Sequence, residues 1–179
     1  MENQRVRLTK RLLKEGLIAI MAEMPFERIT VKRLCEEAGI NRTTFYLHYT
    51  DTEQVLIDAE NDIINTALQR VTNPDPKKSP TDNILSFLTY VQTHMIHFKV
   101  LLSFEGSAEF VKRLSREVIQ DIKQINPAII TDDRTEMLYH FALIASVSLI
   151  HEWLDSGFRL LPLEMAELIN RMTKSVVEN

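Results

Sequence analysis

Long runs without a chain breaker constrain this sequence more than any other feature. Residues 40–73, 128–156 and 163–179 contain neither glycine nor proline, and the whole 179-residue chain holds only four glycines and six prolines. A sandwich or barrel needs a turn about every 8–12 residues, so these intervals suit helices and not strands. The apolar spacing agrees. Leu8, Leu12, Leu13, Leu17, Ile20, Met21 and Met24 recur at helical intervals, which predicts an amphipathic helix over 7–24 that Pro25 ends. No segment shows strand-like alternation, and the expected fold class is all-α.

Local punctuation divides the rest. Thr30 is placed to cap a helix through "VKRLCEEA", which Gly39 can end in the left-handed conformation. Asn41 can cap "RTTFYLHY", and Thr50 with Glu53 has capping-box spacing for a fourth helix through "VLIDAENDIINTALQR". "VTNPDPKKSPTDN" has three prolines and no periodicity, and marks a linker over about 71–82. Ser79, Pro80 and Asp82 then form a helix start. Further helices are expected over about 82–97, 98–104 and 107–125, the last broken at Asn126-Pro127. Another runs from Thr131 to Ser156 before Gly157, and a final one from Pro162 to about Val177. Two domains follow, 1–66 and 67–179.

Apolar residues at 45% and charged residues at 26% are those of a soluble globular chain. A single cysteine excludes an internal disulfide and suits a reducing compartment. The opening "MENQRVRLTKRLLKEG" is too charged for a signal peptide. "FALIASVSLIHEWL" falls short of the roughly 20 residues that span a bilayer, and it carries His151 and Glu152. The expected location is cytoplasmic, with no membrane partner. A net charge of −4 argues against a polyanion partner for the chain as a whole. Yet residues 1–49 hold nine Lys/Arg against six Asp/Glu, while the remainder holds twelve against nineteen. A basic head on an acidic body is the asymmetry of a chain whose one end meets polyanions.

The two short helices joined at Gly39 have helix-turn-helix spacing over about 30–49. Cys35 and Ala38 are the small residues their crossing requires, and Ile40 and Phe45 can fill the wedge. That leaves Arg42, Thr43, Tyr46 and His48 outside, with groups that bond base edges: Arg42 can grip a guanine, and the Thr43 methyl can rest on a thymine methyl. Thr30, Thr44, Tyr49 and Thr50 stand near helix ends, where hydroxyls and free amides favour phosphate. Arg5, Arg7, Lys10 and Arg11 add long-range attraction.

"FERITVKRLCEEAGINRTTFYLHYTDTEQVL" resembles the DNA-binding segment of TetR-family transcriptional regulators, over about residues 7–66. Thr30, Cys35, Ala38-Gly39-Ile40, Thr44-Phe45-Tyr46 and His48-Tyr49 match in order. The resemblance implies a three-helix DNA-binding head joined to a larger helical bundle that dimerises and often takes a small-molecule effector. It thus implies a sequence-specific homodimeric repressor released by that effector. It places Arg42, Thr43, Tyr46 and His48 in the major groove, and gives Thr30, Thr44 and Tyr49 phosphate contact or support of the helix. One position departs: Thr52 stands where the family usually carries a lysine, so a phosphate contact is lost and Asp51 adds repulsion.

Residues 135–156 are apolar nearly all round, with Ala142, Ala145, Ser146 and Ser148 interspersed. Such a helix must be covered on several sides, and a second copy of the chain is the expected cover, through 135–156 and 162–177. Two-fold symmetry in turn implies an inverted-repeat duplex site. Tyr90, His94, Phe98, Tyr139, His140 and Trp153, with His97, Phe104 and Phe110, are candidates to line an effector pocket, against plain core packing for each. His94 and His97 with His140 or His151 would suffice for zinc, but nothing in the spacing brings them together, and no metal or cofactor is expected. Paired Glu-x-x-His motifs, a phosphate-cradling glycine loop, Gly-x-Ser-x-Gly and His-Glu-x-x-His are all missing, so no enzyme is expected. The competing reading is a helix-turn-helix scaffold that binds proteins without DNA, which Thr52 and the acidic total charge keep open.

Overall fold

The computed structural model describes residues 4–72, 75, 77–103 and 107–177, so Phe104 lies outside the described residues. Among these there are nine α-helices and no strand. They are α1 (Gln4–Met21), α2 (Val31–Ala38), α3 (Arg42–Tyr46), α4 (Thr52–Ala67), α5 (Pro80–Thr93), α6 (Met95–Ser103), α7 (Ser107–Ile125), α8 (Asp133–Asp155) and α9 (Pro162–Val177). A 3-10 turn at Phe26–Arg28 precedes α2, and a π-helical turn at Leu68–Thr72 follows α4. The chain forms two compact units that meet in sequence between Ile63 and Ile64, inside α4, where residue 66 was the expected boundary.

In the N-terminal unit the apolar stripe of α1 buries Leu13, Leu17, Ile18 and Ile20. These pack with Ile29, Leu34, Cys35, Phe45, Val55, Leu56 and Ala59, each with at most 6% of its surface exposed. Leu8, expected on the same stripe, is 47% exposed, one turn beyond the end of this core. α1 and α2 cross closely at Gly16, where an added Cβ would lie 3.4 Å from the Ala38 Cβ. The small residue at 38 thus serves the α1 contact as well as the turn. Burial pushes the Cys35 thiol up, with Arg42 opposing and Glu36 adding to the shift, so this cysteine is an inert core residue.

The C-terminal unit packs α5 and α8 against α9, and α7 against α8, with α6 against α7 and α8. Its core includes Leu88, Val91, Phe98, Leu101, Phe110, Val118, Ile119, Trp153, Met165 and Ile169. Asn170 Nδ2 donates to Thr81 Oγ1 at 3.0 Å, tying α9 to the start of α5. α8 is not enclosed. By length and composition alone the full helix, longer than the apolar run judged too short in the sequence, would pass for a membrane span, and only 22% of its most apolar window is buried within the chain. Met137, Phe141 and Ile144 stand 72%, 61% and 45% exposed, at the four- and three-residue steps that define one face.

Helix ends show where local expectation holds. Ser79 Oγ accepts from the Asp82 amide at 3.1 Å and the Asp82 carboxylate accepts from the Ser79 amide, so the expected helix start at Ser79, Pro80 and Asp82 is closed as a capping box. α8 is capped by Asp132, whose Oδ1 accepts from the Thr135 amide at 2.8 Å, in place of Thr131. α4 is capped by Asp51, whose Oδ1 accepts from the Gln54 amide at 2.9 Å, in place of Thr50. The helix expected over 82–97 breaks at His94, where the Tyr90 carbonyl accepts from both the His94 amide and the His94 Nδ1–H, each at 3.0 Å. α8 ends in a left-handed pair, Gly157 at φ 71° and Phe158 at φ 62°. There the Phe158 amide donates to the Trp153 carbonyl, and the two rings pack edge to face at 4.7 Å, the hydrophobic contact of this terminator.

The three capping carboxylates give stability a definite acid limb. Asp51 and Asp82 are held below their ordinary 3.8 first by the hydroxyls of Thr50 and Ser79, and Asp132 first by the Thr135 amide. A depressed folded-state pKa means the stabilisation is complete above the unfolded value and is lost as pH falls through the folded one. Urea midpoints should hold from about pH 7 to about pH 5 and drop below about pH 4. Asp132→Asn keeps the cap acceptor without the charge, so it should flatten that limb in the same titration.

Candidate nucleic-acid interface

Gly39 sets the geometry of the site. At φ 65° and ψ 27° it lets the Ile40 amide donate back to the Cys35 carbonyl at 3.0 Å, which stops α2 and turns the chain. The Asn41 side chain then accepts from the Thr44 amide at 2.7 Å and starts α3. A helix of five residues has no stability of its own. α3 persists because Phe45 is fully buried, packing edge to face on Tyr46 at 5.3 Å and tilted on Tyr49 at 6.0 Å.

Burial of Phe45 fixes what points away. Arg42 and Thr43 are exposed and Tyr46 is 59% exposed, so three of the four expected base-reading residues share one outward face. His48, the fourth, is half-buried at the margin of that face. Leu47, which the sequence reading passed over, is 74% exposed beside Tyr46. Its signal was available: position 47 lies four residues after Thr43 on a helical face.

The expected phosphate contacts divide. Thr30 is exposed, and its hydroxyl oxygen accepts from the Arg33 amide at 3.2 Å as the cap of α2, leaving its proton for an outside acceptor. Thr44 is half-buried behind the Asn41 cap. Tyr49 is only 6% exposed, and its hydroxyl donates to Asp58 Oδ2 at 2.5 Å. Lys14 joins the same carboxylate at 3.6 Å and Asp62 at 2.5 Å, while Lys10 stands 6.0 Å from the Tyr49 ring centre. Of the two roles named for Tyr49, this geometry is that of support: it ties the end of α3 to α1 and α4. Thr50 is occupied locally, donating its amide to Gln54 Oε1 and its hydroxyl to Asp51.

In the C-terminal unit the candidate pocket residues separate. Tyr90, His94 and Phe98 come together, with Tyr90 4.1 Å from His94 and 5.8 Å from Phe98 by ring centres. Arg70, in the π-helical turn, stacks on Tyr90 at 5.1 Å and donates to the Ser86 hydroxyl and carbonyl, a half-buried cation the sequence did not point to. His140 shares a 2.8 Å hydrogen bond with buried Ser115, and Tyr139 is half-buried on α8. Trp153 is a core residue, 3% exposed, whose Nε1–H donates to the Leu160 carbonyl. The His94 and His97 rings lie 6.1 Å apart, and the described residues bring no three His, Cys, Asp or Glu together as a metal site.

A glycine-hinged helix pair with a buried aromatic wedge and a polar outer edge defines a helix-turn-helix protein. Residues 15–59 match the family of bacterial regulatory proteins of the tetR type, and residues 78–175 match a transcriptional regulator C-terminal region. The second match alone covers more than half of the chain, and the chain belongs to the TetR family of transcriptional regulators. It is 23% identical over 152 residues to the uncharacterised HTH-type transcriptional regulator YxbF of Bacillus subtilis (strain 168), covering 80% of this chain and 39% of that protein. The chain therefore spans about two fifths of the length of this curated relative.

Two solved structures are similar in fold. A TetR transcriptional regulator from Streptococcus agalactiae 2603V superposes with a TM-score of 0.67 at 18% identity, over 95% of this chain and 96% of that one. DhaS, a dihydroxyacetone kinase operon activator, gives 0.64 at 15% identity over the same shares. RolR in complex with resorcinol is more distant, at 0.51 and 16% over 99% of this chain and 97% of its own.

The turn yields a direct test. No atom lies within 4 Å of a Cβ built on Gly39, so an alanine there would meet backbone strain alone. Gly39→Ala should lower the unfolding free energy of the N-terminal unit by about 1–2 kcal/mol in urea titration. Gly39→Asn should lose less, because asparagine tolerates this conformation.

Proposed function

We propose that this regulator reads duplex DNA through Arg42, Thr43 and Tyr46, with His48 at the margin and Thr30 and Thr44 toward phosphate. The observation that carries the reading is the division of α3 into a fully buried Phe45 and an exposed edge holding a guanidinium, a hydroxyl and a phenol. Such an edge has the hydrogen-bonding groups that distinguish base pairs in the major groove. Within it, Arg42 pairs with a guanine and Thr43 sets selectivity at one neighbouring position. The decisive experiment is selection of bound sequences from random duplex DNA, followed by affinity measurement. Arg42→Ala and Tyr46→Ala should each cost about 1–3 kcal/mol on the selected site. Unchanged affinity and sequence preference in both variants would remove the assignment.

The regulator acts as a homodimer in this reading, through α8 and α9. Support comes from the uncovered face of α8 at Met137, Phe141 and Ile144, and from exposed Leu163 and Met172 on α9. An inverted-repeat site follows from two-fold symmetry. Sedimentation should give a dimer, and Phe141→Asp should shift it to monomer while leaving the helical content unchanged.

Its working mode is cytoplasmic, non-enzymatic repression relieved by a small molecule. Arg70, Tyr90 and His94 offer such an effector aromatic faces and a cation. The rival reading, a protein-interaction module without DNA binding, draws on the anionic Asp51 cap beside Thr52. Salt separates the two: operator binding weakens steeply as salt rises, whereas a protein-only module gives no salt-sensitive duplex binding.

A further inference from the structure

We propose that Leu47 is a sequence-reading residue that seats the C5-methyl group of a thymine. This rests on the DNA-reading role given above and adds an apolar contact to a face otherwise described by its polar groups. Leu47 keeps helical geometry beyond the last residue of α3, at φ −73° and ψ −18°. It therefore continues the face of Thr43, one turn along, with Tyr46 beside it.

Its exposure of 74% exceeds that of every other exposed large apolar side chain among the described residues, and Tyr46 stands at 59%. A single exposed leucine on an ordinary surface needs no explanation. This one has a particular setting. It lies on the outward edge of a helix held by a fully buried Phe45, in line with Arg42, Thr43 and Tyr46. Those neighbours supply hydrogen-bonding groups. The only apolar group that a base presents in the major groove is the thymine methyl. A branched aliphatic side chain on this edge has no hydrogen bond to offer, so it discriminates by that methyl and by excluding water from it.

The test deletes the methyl and nothing else. Duplexes recovered by selection with the full chain would be remade with each thymine replaced singly by deoxyuridine. The wild-type chain should lose about fourfold in affinity at one or more thymines, the effect of one buried methyl group. Leu47→Ala should bind the unmodified duplex with a similar loss and be indifferent to that same replacement. Thr43→Ser, which removes the other methyl on the face, should still discriminate there. Leu47→Asn should move the selected base at that position from thymine toward adenine. Equal thermal midpoints would show that the variants fold.

Full retention of the thymine preference by Leu47→Ala overturns the proposal, as does a wild-type chain indifferent to every replacement. Both outcomes leave the reading of Arg42 and Tyr46 standing. A selection that enriches no duplex at all overturns both.

Discussion

Everything at the N-terminal end depends on burying one aromatic ring from a helix too short to stand alone. Phe45 has no exposed surface, and α3 contributes only five residues. Nucleating a helix costs more than so few backbone bonds return, so the ring's burial has to supply the difference. The ring reaches its site only because Gly39 turns the chain in a left-handed conformation directly after α2, and because Asn41 restarts it. From that constraint the exposed face follows by helical periodicity. Tyr49, closing the segment four residues after Phe45, locks the far end through Asp58 and Lys14. The outward edge is thus positioned from both ends, with the Tyr46 ring resting edge to face on Phe45.

The C-terminal unit states the opposite problem. Its longest helix carries more apolar surface than its own chain covers: Ala142, Ile150, Trp153 and Leu154 face inward, while Met137, Phe141 and Ile144 face out. Leaving three such side chains in water forgoes several kcal/mol of burial, roughly 1.5–3 for each. Ser146 and Ser148 return their hydroxyls to the carbonyls of Ala142 and Ile144, which removes their need for an outside partner. A face of this kind favours a second helix over water. The proposed two-fold pairing would supply one by using each exposed side chain twice.

Much of this was legible in the sequence because it is local. Gly39, Asn41, Pro80 and Gly157 fix their neighbours through backbone restrictions that act within a few residues. What stayed hidden was either a choice between neighbours or a matter of tertiary contact. Thr50 and Asp51, like Thr131 and Asp132, are adjacent residues with equal licence to cap. The aspartate wins in both, where its carboxylate accepts the amide three residues on. The helix break at His94 carries no glycine or proline to announce it, and apolar periodicity does not register it. Arg70 found Tyr90 and Ser86 across sixteen or more residues of chain, and no local pattern announces such a partner. The candidate site was clearest where face and periodicity coincide, at Arg42, Thr43 and Tyr46. It was least clear at Tyr49, whose hydroxyl turned inward.

Asp51 carries a consequence beyond capping. Its carboxylate occupies the first-turn amides of α4, and the neighbouring hydroxyl and amide hold it ionised. That helix start is therefore filled by a negative charge belonging to the protein, at the place where the family's usual lysine would meet phosphate. Other cations are also partly spoken for, since Arg33 pairs with Glu37 at 3.7 Å and Arg11 with Glu15 at 3.6 Å. Exposed pairs of this kind are weak, and either arginine can leave its partner for a phosphate. Still, each exchange gives back part of what counterion release contributes. In the proposed DNA-reading mode, a head built this way would draw a smaller share of its affinity from the backbone and a larger share from base edges. Such a balance would raise discrimination between sites at the expense of nonspecific hold, and would make the few side chains on the open edge of α3 matter more.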